Sequence, residues 1–301
     1  RQREWDLYAD EDIDLPRLSP CAAADPHSQR LRRGYGASDL DLDDNTIRNA
    51  RHAYYGSISD IDNKVAGLLQ VLEESGFKDN TIVIFTSDHG DMLGERGMWF
   101  KMSFLEHSAR VPLIIHAPAR YSPRRVGAAV SLVDLLPTLV DMATDDRGVE
   151  YVTPIEGRSL APHLAGEAGH NEAIGEYFAE GTDTPIFMMR RASHKAIYSD
   201  RDPFQFFDLS NDPDEVNNLA QDPDQHSAVQ AIENEITERY DIKALTERVL
   251  ESQRRRVLLK TVMRRQNLAW DHEPSGRAGE SYIRNSLPIY ELEKRGRFPP
   301  V

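Results

Sequence analysis

The chain has 301 residues, 40% of them hydrophobic and 29% charged, with a formal net charge of −14. That acidic balance argues against nucleic acid or an anionic membrane surface as a partner, since both call for a basic face. No apolar run reaches the roughly 18 residues of a membrane span, and a single cysteine, Cys21, rules out an intrachain disulfide framework and fits a reducing, cytoplasmic setting.

The chain opens at Arg1 with no initiator methionine or leader, which points to a fragment or processed chain. Residues 1–43 are polar and lack periodicity, with Pro16, Pro20 and Pro26 and the basic run Arg30 to Arg33, and read as irregular surface chain. From Asp44 the pattern turns helical. Ile47, Ala50, Tyr54, Ile58, Ile61, Val65, Leu68 and Leu72 recur every three or four positions, and Asp44 or Asn45 can cap the start and Gly76 the end. His52, near the start of this helix, reads as a solvated or hydrogen-bonded histidine rather than a ligand.

Thr81 to Ser87 is β-branched and aromatic without polar alternation, the pattern of a strand covered on both faces in a parallel sheet. Asp88, His89 and Gly90 follow where that strand ends, the place where open α/β sheets bind ligands. Asp offers a hard oxygen and His an imidazole nitrogen. The tripeptide taken alone reads more readily as a plain turn than as a ligand pair. Val111 to Ala117 reads as a second buried strand, and Ser131 to Asp134 opens a helix with a capping box. Its buried face would be Leu132, Leu135, Leu136, Leu139, Val140 and Ala143, with Pro137 kinking it.

Past residue 150 the segments 173–178, 185–191, 195–199 and 205–209 recur about every ten residues, the spacing of an antiparallel meander. A helix follows over roughly 226–266, with Val229, Ile232, Ile236 and Tyr240 on one face and basic residues late, as its negative end favours. The expected organisation is therefore 1–150 as part of an α/β domain, 151–225 as a small antiparallel subdomain, and 226–301 as a helix and tail.

The stretch Gly94-Glu-Arg-Gly-Met-Trp-Phe-Lys101, then Glu106-His-Ser-Ala-Arg110-Val-Pro112, resembles the sulfatase family of the alkaline-phosphatase superfamily, in its choline-sulfatase branch. Asp208 to Glu215 and the tail from Trp270 to Pro299 carry the same resemblance. It implies an α/β fold with a mostly parallel sheet between helices, an antiparallel C-terminal subdomain, and a helical tail that reaches a neighbouring subunit in a homo-oligomer. It further implies one divalent cation, calcium before manganese or magnesium, with Asp88 and His89 as two of its ligands. A hard cation wants several oxygens, so these two cannot hold it alone.

Lys101 matches the lysine that grips the sulfate and lies near the leaving oxygen. At ~4 Å and an effective dielectric near 20 such a pair interacts by roughly 4 kcal/mol before desolvation. Taken without its neighbours, Lys101 is a solvated surface charge; the residues around it reverse that reading. Glu106 and Arg110 read as a buried ion pair bracing the loop. Glu176 matches a substrate-facing position suited to choline's trimethylammonium group, and is otherwise an exposed strand carboxylate.

The family's nucleophile is a formylglycine made from Cys or Ser in a Cys/Ser-x-Pro-x-Arg motif. Cys21 stands in Cys-Ala-Ala-Ala-Asp and no serine fits, so this segment is absent and the chain alone is expected to lack activity. Ser286 to Tyr290 departs from the choline-sulfatase pattern, which weakens the transfer of choline specificity. The expected reaction of the complete protein is hydrolysis of choline sulfate. The alternatives are a phosphonate or phosphate monoester hydrolase of the same superfamily, or a non-catalytic sulfatase fragment.

Overall fold

A computed structural model describes residues 2–9, 11–20, 25–144, 147, 149–182 and 184–265. Cys21 and the expected oligomerisation tail over 266–301 lie outside the described residues. The first forty residues are more ordered than their composition suggests. They hold α1 (Gln2–Asp6), α2 (Pro26–Gly34) and a single 3-10 turn over Ala37–Asp39. The start of α2 has a local cause: Asp25 accepts the backbone N–H of Ser28 at 2.9 Å, and Pro26 sits where its missing donor costs nothing.

Helix α3 (Asp44–Glu74) runs almost as its periodicity predicts, although Asp43, which accepts from the Thr46 N–H at 2.7 Å, is the cap. Its N-terminal half is held by α1. His52 stacks on Trp5 with ring centroids 3.8 Å apart and its Nε2 lies 2.8 Å from the Trp5 carbonyl, so this histidine is structural. Gly56 lies where a Cβ would press on the backbone of Glu4. The apolar stripe further along α3 is not covered, and Leu68 is 67% exposed.

The next two strands differ from expectation. Strand β1 (Val83–Thr86) and strand β2 (Leu113–His116), separated by the short helix α4 (Glu106–Ala109), pair antiparallel with Val83 opposite His116 and Thr86 opposite Leu113. Neither is buried on both faces: β1 is half-buried throughout and Ile114 of β2 is 59% exposed. A run of β-branched residues reports that both faces suit an apolar environment, but it names neither the neighbouring strand nor its direction.

Helix α5 (Leu135–Thr144) follows a 3-10 turn with the expected capping box between Ser131 and Asp134. The side that faces the rest of the chain is Pro137, Thr138 and Met142, while Leu136 and Leu139 are exposed. Polar bonds cause this orientation. Thr138 Oγ1 donates to the Asp134 carbonyl at 2.6 Å and accepts the Leu160 N–H at 2.8 Å, and Asp134 accepts the Arg158 N–H at 2.8 Å.

After α6 (Ala161–Ala165) come β3 (Glu172–Tyr177), β4 (Ile186–Arg191), β5 (His194–Tyr198) and β6 (Gln205–Asp208), which form the expected antiparallel meander in the order β3-β4-β5-β6. The single helix expected over 226–266 is two, α7 (His226–Arg239) and α8 (Ile242–Arg265), broken at Tyr240. One sheet face presents Phe187 and Met189 to Ile236, Ile242 and the ring of Tyr240, and Phe206 and Ala196 to Val229. The other face presents Ile186, Ile197 and Phe207 to Phe104, in the loop that follows β1. The meander thus lies between the helices and the loop that carries Lys101. No helix among the described residues is long and apolar enough to cross a membrane.

Candidate functional site

At the end of β1 the side chains of Asp88 and His89 converge, with Asp88 Oδ2 and His89 Nε2 3.4 Å apart. Both are open to solvent, Asp88 at 83%. His89 Nδ1 lies 2.8 Å from the Gly90 carbonyl. A proton on Nδ1 satisfies that carbonyl and turns Nε2 toward the Asp88 carboxylate. Slight burial works to raise the Asp88 pKa, but the charge of His89 outweighs it, with the backbone N–H groups of Asp88 and His89 and the Ser87 hydroxyl, and the carboxyl is held below its ordinary range. Two donors fall short of the six to eight oxygens that calcium takes. Among the described residues no group of three or more His, Cys, Asp or Glu side chains could hold an ion. The described residues therefore do not make up a complete cation site.

Gly90 is needed for close approach rather than for a left-handed turn. Its N–H donates to the Ser108 carbonyl at 2.8 Å, and a Cβ there would overlap the His107 carbonyl. This clamps the end of β1 against α4.

The loop between them is drawn in by Asp91, whose Oδ1 accepts the N–H groups of Leu93 at 2.9 Å and Phe100 at 3.2 Å. Burial raises the Asp91 pKa; the two backbone donors and then the charges of His89 and Lys101 oppose that rise. Asp91 thus lies within electrostatic reach of both His89 and Lys101. The residues flanking Lys101 carry unusual backbone angles: Phe100 has φ +69° and Met102 φ +78°. Left-handed conformations at non-glycine residues cost on the order of 1–3 kcal/mol each and persist only where the surroundings enforce them. Here the Met92 N–H donates to the Phe100 carbonyl at 2.7 Å, His27 Nε2 lies 2.7 Å from the Met102 carbonyl, and the Tyr35 hydroxyl meets Met102 Sδ.

Two expectations are corrected. Glu106 does not pair with Arg110. It takes Arg190 at 3.1 Å and Lys195 at 2.9 Å, and Arg110 is exposed, acting on it only through space. The cause is that α4 is a single turn docked on the sheet, which points Glu106 at β4 and β5. Glu176 is exposed and lies opposite Phe187, on the sheet face covered by the helices, where its charge helps push the Tyr240 hydroxyl up to about 12 after burial. Its neighbour Gly175 faces the loop, at Phe104. Strand alternation therefore places Glu176 on the far side of the sheet from Lys101.

The features that motifs did not reveal are Asp91, Lys195 and Glu215. Asp91 stood beside a quoted motif and could have been found as a loop-closing acid. Lys195 and Glu215 are 20 residues apart in sequence, with their Nζ and Oε1 2.8 Å apart, and no local pattern announces that pairing.

Three family models match the chain in succession: Sulfatase over residues 5–145, N-sulphoglucosamine sulphohydrolase C-terminal over 94–241, and Choline sulfatase enzyme C terminal over 247–298. The chain belongs to the sulfatase family. It is 38% identical to the choline-sulfatase of Rhizobium meliloti (strain 1021) across 99% of its own length and 59% of that protein's. It is 37% identical to arylsulfatase K of Danio rerio over 183 residues, 58% of this chain and 34% of the relative. In structure it is similar to the phosphonate monoester hydrolase of Silicibacter pomeroyi, with a TM-score of 0.64 and 27% identity, covering 75% of this chain and 50% of that one. The chain thus spans little more than half the length of the choline-sulfatase it matches, and about a third of arylsulfatase K.

Proposed function

We propose that this sulfatase chain serves the hydrolysis of a sulfate ester, with choline sulfate as the substrate of the complete protein. The reading is supported by the turn around Lys101, whose flanking residues Phe100 and Met102 are left-handed, and by the electrostatic reach of that lysine to Asp91. Left-handed backbone at the bulky residues on both sides of a cation is what a binding loop retains and a plain surface turn does not. Lys101 is assigned to the sulfate group, where an ammonium offsets the charge that develops on the leaving oxygen. Asp91 holds that turn closed through its two backbone bonds. Asp88 and His89 are assigned as two of the donors to a divalent cation, the others to be supplied by groups beyond the described residues. The 301 residues contain no Cys/Ser-x-Pro-x-Arg motif, and the isolated chain is expected to show no turnover. Choline as the alcohol rests on the 38% identity to a choline-sulfatase and not on Glu176, which faces away.

A second reading, phosphonate or phosphate monoester hydrolysis, has support in the similarity to the Silicibacter pomeroyi enzyme. A tetrahedral dianion or monoanion would meet the same lysine. The test is kcat/KM on choline sulfate and on a phosphonate monoester, for a protein of full sulfatase length that contains this chain. A higher value for choline sulfate is expected, and the reverse order transfers the assignment to the second reading.

A further inference from the structure

We infer that Lys195 is a positioning residue for the Lys101 loop, acting from the meander through two buried carboxylates. This rests on the assignment of Lys101 to the substrate's anionic group. Lys195 is 1% exposed, yet it lies on the sheet face turned toward the loop, beside Arg190 and Phe207 in register. Its Nζ lies 2.9 Å from Glu106 Oε1 and 2.8 Å from Glu215 Oε1. Glu215 Oε2 in turn accepts the Glu106 backbone N–H at 2.7 Å. Arg190 takes the second oxygen of Glu106 at 3.1 Å, and Arg96, within the loop, donates to the carbonyls of Asp214 and Glu215 at 2.7 and 2.6 Å.

Three distant pieces of chain therefore meet at one ammonium: the loop and the start of α4, the strands β4 and β5, and the turn ending at Glu215. A sheet lysine has no need to be there for its own strand. An apolar side chain would fill the same place beside Phe207 at no desolvation cost. What an ammonium adds is a fixed distance to two carboxylates on other segments. Glu106 starts the turn of helix that follows the strained pair Phe100 and Met102 by a few residues. Asp91 holds the loop at one side of Lys101, and the Glu106–Lys195–Glu215 cluster holds it at the other. Strain of this kind relaxes when either anchor is cut.

The test is backbone hydrogen exchange, read by mass spectrometry, on the 301-residue chain and its Lys195→Met and Lys195→Arg variants. The methionine variant is expected to accelerate exchange over 91–106 by at least about tenfold, with protection retained in β3 and α7, and the arginine variant to recover much of the loss. Unchanged exchange over 91–106, or acceleration spread equally over the meander, would overturn the inference, because a merely structural lysine would loosen its own sheet first. Should Lys195→Met not fold, Glu106→Gln decides by the same peptides, since it weakens the cluster from the loop side without burying a lone charge. Exchange reports on positioning whether or not Lys101 binds sulfate. A failure of the sulfate assignment therefore appears only in turnover by the complete protein and is separable from failure here.

Discussion

Asp91 and Glu106 are the two acids that shape the loop, and their surroundings push them in opposite directions. Burial raises Asp91. For Glu106 burial also works upward, but the charge and hydrogen bond of Lys195, then Arg190 and Arg110, outweigh it and leave the carboxyl below its ordinary 4.5. A depressed folded value means that the contribution of Glu106 is complete above its unfolded pKa and is lost as pH falls through the lower folded one. Melting temperature measured as the pH is lowered from 6 toward the range below about 4.5 should therefore fall, and the Glu106→Gln variant should show a shallower decline. A decline equally steep in that variant would remove Glu106 from the account. Gly90 gives a second residue-scale prediction. A methyl group there meets the His107 carbonyl, so Gly90→Ala should destabilise the chain by about 1–3 kcal/mol in denaturant unfolding. A neutral result would mean that α4 is free to move aside.

Among the elements, the meander carries the firmest core. Phe187 is 1% exposed and stacks on Tyr240 at 4.3 Å between ring centroids. Phe187→Ala should cost about 3–5 kcal/mol by urea or guanidinium titration, far more than a truncation on the uncovered stripe of α3. The meander was also the most legible element, because turns every ten residues and alternating side chains report directly on a half-buried strand. The long helix was legible for a similar reason. Less could be read of α2, whose start lies in Asp25-Pro26 rather than in any periodicity, and of the break at Tyr240, where the apolar spacing continues across two helices. Asp88, His89 and Lys101 were singled out because their types and order form a motif. The partners of Glu106 were missed because Arg110, four residues away, was the nearer choice, while Arg190 and Lys195 reach it only after the sheet has formed. Glu176 was misplaced by an even simpler cause: its side of the strand is set by register, and the shift of one residue to Gly175 changes the face.

At the scale of the molecule α3, α5 and β2 each leave apolar side chains uncovered, with Ile58, Leu68, Ile114, Leu136 and Leu139 all exposed. Amphipathic periodicity told which residues seek cover and could not tell what covers them. Exposed apolar surface of this extent promotes association. The isolated chain should bind a hydrophobic dye and self-associate in sedimentation velocity, and replacing Leu68 and Leu139 together by Lys should reduce both. A monodisperse native chain that ignores the dye would show that these faces find cover within the 301 residues.

The proposed function turns on Lys101 meeting the anionic group of the substrate. Its most direct measurement is steady-state hydrolysis of choline sulfate by a protein of full sulfatase length containing this chain, compared with its Lys101→Ala variant at matched folded fraction. The account predicts a fall in kcat/KM of at least about a hundredfold, the scale on which the loss of one preorganised charge donor is felt. Equal rates in the two proteins would contradict it.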